Sequence, residues 1–363
     1  MKILQLVYSL ESGGAERFVV DLSNNLANQL QNEVTLVIIK KRTKAENIHY
    51  LQDVSPNVKF VSLNCDSGLT IKAFWRVLQI IRKEKPDVVH AHCQVLQLFL
   101  PSVFFPRIKF FHTLHSMPTI CLAFKRLKWL YRLFYKNSIF PITISATCQQ
   151  AFIDLYHIKR VKTIPNGRSP IVTTSEYHAV RDTIKQMKTN DETPVFIHVA
   201  RCNHLKNQKR LFNVFERLQN EGIDFLLICI GRGYETEFGS KYKDNKQIRI
   251  LGQKNNVGDY LAVSDFFVLS SDYEGLPISL LEAMSIGVIP ISTPAGGVKD
   301  VINDGKNGYI SEAIDDRSLY NKIKFALENK GNIHKEDIIN DYQQKYSMDT
   351  CAELYNNLYL ASQ

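Results

Sequence analysis

The chain has 363 residues, a hydrophobic fraction of 45%, a charged fraction of 22% and a formal net charge of +9 at pH 7. That length suits two domains with separate cores, and that balance is the usage of a soluble globular protein rather than a disordered or fibrous one. Seven scattered cysteines, odd in number and with no C-x-x-C pair, argue against both a disulfide framework and a zinc site.

In chain order, KILQLV reads as a first strand. Its apolar run is short, is interrupted by Gln5 and lacks a small-residue cleavage site, so no signal peptide is expected here. No run reaches the roughly 20 apolar residues of a membrane span. The most apolar stretch, VLQLFLPSVFF, is too short and carries Gln97 and Pro101. A cytoplasmic protein is expected.

The first strand runs into SGGAER and then a helical spacing, AERFVVDLSNNLANQL. Gly13 and Gly14 would let backbone approach a ligand, with the free N–H groups of a helix start beyond them for an anion. The same residues equally suit a tight turn in which Glu16 is a favourable first-turn charge. The pattern is not G-x-G-x-x-G, so no dinucleotide fingerprint is supported.

EVTLVII, VKFVSL, DVVHA, IKFFHTL and FPITIS follow as short β-rich runs, with helical segments such as IKAFWRVLQIIRKE between several of them. Alternation of this kind predicts a parallel sheet with helices on both faces. Residues 1–163 carry 22 Lys and Arg against 10 Asp and Glu, and the remainder 23 against 26. The basic half is therefore expected to face something anionic.

CLAFKRLKWLYRLFYKNSIF concentrates part of that charge, setting Lys125, Arg126, Lys128 and Arg132 beside Trp129, Leu130 and Leu133. Such a helix can lie on an anionic leaflet, or it can simply pack in the first domain with a basic outer face. Nucleic acid is not expected as a partner, because no stacking array or DNA-reading motif accompanies the charge.

At VKTIPNGRSPIVTTSE, Pro165, Gly167 and Pro170 cluster and the alternation breaks. It restarts with strands TPVFIHVAR, FLLICIG, IRILG, DFFVLSS and VIPIST, and helices near 207–220, 279–286 and 315–330. The expected organisation is two α/β halves, 1–167 and 168–342. In open α/β sheets ligands sit beyond the strands' carboxyl ends, so the site is expected in a cleft between the halves.

In HVARCNHLKNQKRL, Arg201 closes a strand and Lys206 stands where a helix begins. Two cations so placed can hold a diphosphate, or they can be solvated surface charges. Lys209 and Arg210 are expected on the exposed face of the helix that follows. In SSDYEGLPISLLEAMSIG, Glu274 sits in the loop after a strand, and Glu282 is expected about two turns into a helix that has Pro277 near its first turn. One carboxylate can meet a sugar hydroxyl while the other reaches a ribose. Between them the N–H groups of Gly275 and Leu276 can receive phosphate oxygens.

That last stretch resembles the E-x7-E signature of the family-four retaining GT-B glycosyltransferases. Other motifs match in order: GGAE at 13–16, HTLHS at 112–116, IS at 144–145, PNG at 165–167, R-x4-K at 201–206, IGRG at 230–233 and PAGG at 294–297. The resemblance implies a GT-B fold of two Rossmann-like doubly wound domains facing a central cleft, with a C-terminal helix at 343–363 packing back onto the first. It implies that Arg201 and Lys206 bind the donor diphosphate, Glu274 the donor sugar and Glu282 the ribose. Gly13, Gly14, Gly231, Gly275, Leu276 and Pro277 would shape the donor site, and 251–257 would lie near the base. His115 would line the pocket between donor and acceptor, with His112 as its local competitor or a satisfied core residue.

By the same resemblance the substrates are a nucleotide sugar, a UDP-sugar by expectation, and a glycan or polyprenyl-diphosphate-linked acceptor of O-antigen or capsule synthesis. No cofactor and no metal are implied, side-chain cations taking the leaving charge in place of an ion. The protein would contact the inner face of an anionic membrane peripherally. Two other readings remain open on sequence: a GT-B-like binding protein without activity, and a phosphorylase-type GT-B enzyme.

Overall fold

The computed structural model describes the chain except residues 42, 44–47, 67–69, 94–95, 122–126, 236 and 362–363. It divides into two compact units, Met1–Ser169 with Lys345–Gln363, and Pro170–Gln344.

In the first unit, strands β1 (Lys2–Val7), β2 (Glu33–Lys40), β3 (Val58–Cys65), β4 (Val88–His92), β5 (Lys109–Leu114), β6 (Ile139–Thr143) and β7 (Lys162–Thr163) form one parallel sheet. Their order is β3-β2-β1-β4-β5-β6-β7, with Ile3 opposite Val34 on one side and Val88 on the other. The inner strands are buried on both faces because both faces are covered.

From β1 to β2 the chain steps one way across the sheet, and from β3 through β6 it steps the other way. Right-handed crossovers then put the connecting helices on opposite faces. Helices Ile71–Glu84, Leu96–Phe104, Lys128–Asn137 and Ala146–Tyr156 share one apolar core with the sheet, built around residues such as Val77, Leu98, Tyr135 and Phe152. Thr70 and Ser145 start two of these helices by accepting from the N–H three residues on. Helix Gly14–Asn28 serves the other face.

The C-terminal helix Met348–Ala361 packs on Gly14–Asn28. Its approach explains the glycine of PNG: a Cβ on Gly167 would stand 2.4 Å from Cys351 Cβ. Nearby, the buried Arg168 guanidinium pairs with Asp21 at 2.5 Å, and Asn25 donates to Asp349.

In the second unit, β8 (Val195–Val199), β9 (Leu226–Ile230), β10 (Ile248–Gly252), β11 (Phe266–Leu269), β12 (Ile289–Ser292) and β13 (Tyr309–Ile310) are also parallel, in the order β10-β9-β8-β11-β12-β13. Each unit is thus a doubly wound, Rossmann-like sheet. Strand order reverses between β1 and β4 in the first unit and between β8 and β11 in the second. Beyond the carboxyl ends of those pairs an open α/β sheet binds its ligand. The edge strands β7 and β13, two residues each, and helix Tyr177–Met187 do not stand out in the sequence.

Candidate active site

At the reversal in the second unit, the β8 loop and the β11 loop converge. Arg201 is exposed just beyond β8, and Lys206 is half-buried one residue before the cap of helix Gln208–Asn220. The Asn203 side chain shapes the loop between them, accepting from the Leu205 and Lys206 N–H groups at 3.0 Å each. Ser270, at the end of β11, donates to the Lys206 carbonyl at 2.9 Å and so holds the two loops together.

Lys206 Nζ lies 2.7 and 2.6 Å from the two carboxylate oxygens of Glu274. The Ser271 hydroxyl donates to the same carboxylate at 2.5 Å. Glu274 is only 5% exposed, so these donors replace the water that a buried carboxylate has lost. The structure brings Lys206 and Glu274 together and leaves Arg201 at the surface beside them along the chain.

Glycines make the approach possible. Gly231, after β9, has φ 152°, and a Cβ there would fall 1.9 Å from the Ala200 carbonyl oxygen. The IGRG turn is thereby seated against the backbone that carries Arg201, with the Cys202 N–H donating to the Arg232 carbonyl at 2.7 Å. Gly296, in the PAGG motif, has φ 55° and would place a Cβ 2.0 Å from the Glu274 carbonyl. The motif's role visible in the structure is to support the Glu274 loop.

Two expectations are corrected. Pro277 is extended, φ −71° and ψ 125°, and caps a helix that runs only Ile278–Ser285. Glu282 is the fifth residue of that helix, about one turn in instead of two, although the helix itself begins within one residue of where the sequence places it. Gly275, Leu276 and Pro277 are the turn itself. Lys209 is exposed, but Arg210 is buried: it donates to the Ser270 carbonyl at 2.8 Å and pairs with Asp272 at 2.7 Å. It fastens helix Gln208–Asn220 to the end of β11.

Below the loop, His198 on β8 donates from Nδ1 to the Val268 carbonyl at 2.7 Å, which leaves Nε2 to accept from Gln208 at 3.1 Å. Gln208 also donates to the Arg201 carbonyl at 3.0 Å. Burial lowers the His198 pKa to about 4, so the ring is a neutral spacer.

In the first unit, Gly14 begins the helix after β1, with Gly13 as its extended cap. Glu16 folds over Gly13: a Cβ there would meet its carboxylate at 2.3 Å. His115 stands just past β5, with Phe18 of the same helix edge-on at 5.0 Å. His92 Nδ1 lies 3.0 Å from His115 Nε2, and His92 Nε2 lies 2.7 Å from the Gln5 side-chain oxygen. His92 thus bridges Gln5 and His115 through its two ring nitrogens. Burial lowers the His115 pKa to about 4, opposed by the Asn166 side chain.

His112 is a core residue, its ring stacked on Tyr135 and hydrogen-bonded to that hydroxyl at 2.7 Å. Sequence reasoning passed over Gln5, His90 and His92. The signal was present: polar residues alternate along strands that should be apolar on both faces. They face the C-terminal helix, where His90 bonds Tyr359 at 2.6 Å and Thr113 bonds Tyr355 at 3.0 Å.

Of the basic stretch, Lys128, Trp129 and Arg132 are exposed on helix Lys128–Asn137. Lys125 and Arg126 lie outside the described residues. Among the described residues no group of three or more His, Cys, Asp or Glu side chains is placed to hold a metal ion.

Both halves match known families. Residues 12–170 match Glycosyltransferase Family 4, and residues 180–345 match Glycosyl transferases group 1. The chain is a GT-B-fold glycosyltransferase related to these nucleotide-sugar transferases. It is 25% identical over 313 residues, 81% of each chain, to the capsular polysaccharide biosynthesis glycosyltransferase CapH of Staphylococcus aureus. It is 24% identical over 352 residues, 84% of this chain and 85% of the other, to the UDP-Gal:alpha-D-GlcNAc-diphosphoundecaprenol alpha-1,3-galactosyltransferase of Escherichia coli. Among solved structures, Anabaena Alr3699/HepE in complex with UDP superposes with a TM-score of 0.81 over 100% of both chains at 18% identity.

Proposed function

We propose that the protein transfers a hexose or N-acetylhexosamine from a UDP-sugar, with retention and without a metal ion, to a glycan or polyprenyl-diphosphate-linked acceptor in surface polysaccharide synthesis. The observation that carries this reading is the Lys206–Glu274 pair at the β8/β11 reversal, with Arg201 on the same loop. The capsule and diphosphoundecaprenol relatives support the setting, and the UDP complex of the structural neighbour supports the donor.

In this reading Arg201 and Lys206 take the charge that gathers on the β-phosphate as the bond from the sugar C1 to the phosphate oxygen breaks. Donors positioned for such developing charge are typically worth about 3 kcal/mol each. The N–H groups of Gly275 and Leu276 receive phosphate oxygens at the turn closed by Pro277, and Glu282 binds the ribose hydroxyls. Gly231 keeps the Arg201 backbone in place. On the first unit, Gly13 and Gly14 admit the phosphates and His115 meets the sugar.

Glu274 orients sugar hydroxyls and is not a covalent nucleophile, since Lys206 and Ser271 already engage its carboxylate. The acceptor oxygen forms its bond to C1 on the face the phosphate leaves, and its proton passes to the departing phosphate oxygen. Configuration is thereby retained. The acceptor is presented at the inner face of the cytoplasmic membrane, which the exposed Lys128, Trp129 and Arg132 touch, and the protein is otherwise cytoplasmic.

The test is to incubate the protein with each common nucleotide sugar, with and without a lipid-linked acceptor and with EDTA present, and to measure nucleoside diphosphate release. Acceptor-dependent UDP release in chelator is expected. Release that needs added metal, or a preference for another nucleotide, would overturn those parts of the proposal.

A further inference from the structure

Helices Ile71–Glu84, Leu96–Phe104 and Lys128–Asn137 lie in one layer on the sheet of the first unit. The first two pack directly, and Phe99 stacks on Phe134 at 4.1 Å to join the third. The outer side of that layer is unusual. Ile71 and Trp75 stand out on the first helix, Leu100, Val103 and Phe104 on the second, Trp129 and Leu133 on the third. Their spacing of three or four residues makes each set one outward row.

The chain has two tryptophans. Both are on this layer and both are exposed, Trp75 at 55% and Trp129 at 65%. Around them are the exposed cations Lys72, Arg82, Lys83, Lys128, Arg132 and Lys136. The one carboxylate on the three helices, Glu84, is held at 2.6 Å by Lys59 of β3.

We infer that this three-helix face seats on a bilayer rich in anionic headgroups, the rows of large apolar side chains entering the interface and the cations meeting the lipid phosphates. Exposed apolar patches of this kind mark interaction surfaces. Tryptophan and phenylalanine beside lysine and arginine is the chemistry of an interfacial anchor. A nucleic acid would use the charge but not the aliphatic side chains. A second copy docked by symmetry would set cations against cations with no exposed carboxylate on the three helices to answer them. The inference rests on the membrane contact proposed above. It extends that contact from one basic helix to a face whose apolar part lies largely on the two earlier helices.

The tryptophans report on it directly. The full chain is titrated with vesicles of phosphatidylcholine alone or mixed with phosphatidylglycerol, and tryptophan emission and vesicle flotation are followed. The expected result is a blue shift and co-flotation with the anionic vesicles only. A Val103→Glu/Phe104→Glu variant, which removes no cation, should partition at least about tenfold more weakly, because burying one such side chain is worth more than a decade. Its UDP affinity should equal that of the parent, which shows that it folds.

If the variant floats as well as the parent, the three-helix face is overturned while contact through the basic helix stands. If the parent binds no vesicle, or instead forms concentration-dependent dimers, both membrane statements fall. Nucleotide-sugar turnover in solution would be untouched by either outcome.

Discussion

A carboxylate as covered as that of Glu274 survives in a fold only when its lost hydration is replaced. Lys206 and Ser271 supply that replacement. The pairing also fixes the lysine ammonium on a loop that would otherwise leave a long side chain free to wander. The histidines follow the opposite logic. His90, His92, His112 and His198 are buried, and each is held neutral chiefly by desolvation, His112 at about 3 and His198 at about 4. In the unfolded chain each titrates near the usual value of about 6.5. Between those limits the unfolded state binds more protons, so stability is full above the unfolded pKa and falls as pH drops through the window. Each such ring contributes up to about 1.4 kcal/mol per pH unit there. The urea midpoint of the first unit, which holds three of the four, should therefore fall clearly from pH 7 to pH 5 by circular dichroism. A flat midpoint over that range would mean that these rings take up protons inside the fold.

At the level of elements, the site consists of strand-to-helix and strand-to-turn connections, and glycine decides how closely they approach. The Ala200 carbonyl occupies the space that a Cβ on Gly231 would need. Gly231→Ala should displace the Arg201 backbone, at a cost of about 1–3 kcal/mol for the forced conformation, and weaken UDP binding at least tenfold in a calorimetric titration. Unchanged affinity would show that the turn tolerates the shift and plays no part in the site. These connections were also the most readable part of the chain. Apolar runs of four to eight residues marked the inner strands, and Arg201, Lys206 and Glu274 fell at strand ends because loops carry polar residues. The two-residue edge strands have too few residues to show a period. Arg210 read as surface because a single charged residue carries no sign of the carbonyl and carboxylate that will bury it. The start of the helix that carries Glu282 was legible to within one residue, and Glu282 lies about one turn in because it stands only four positions after Ile278.

For the molecule as a whole, alternation of strand and helix made two doubly wound sheets legible, and the break near Pro165 to Pro170 marked where one gives way to the other. The buried polar seam of Gln5, His90, His92, Tyr355 and Tyr359 was harder to see, because its members lie far apart in sequence and meet only when the C-terminal helix returns to the first unit. Part of the basic excess of that unit lies in exposed cations on the three-helix face: Lys72, Arg82, Lys83, Lys128, Arg132 and Lys136. The central claim, however, belongs to the second unit: fixed cations at the β8/β11 reversal hold a nucleoside diphosphate with no ion as intermediary. Calorimetric titration of UDP into the full chain in EDTA, alongside Lys206→Ala, tests it most directly. The account predicts saturable binding in chelator and at least a tenfold loss in the variant. Binding that vanishes with EDTA, or a variant that binds as tightly as the parent, would contradict it.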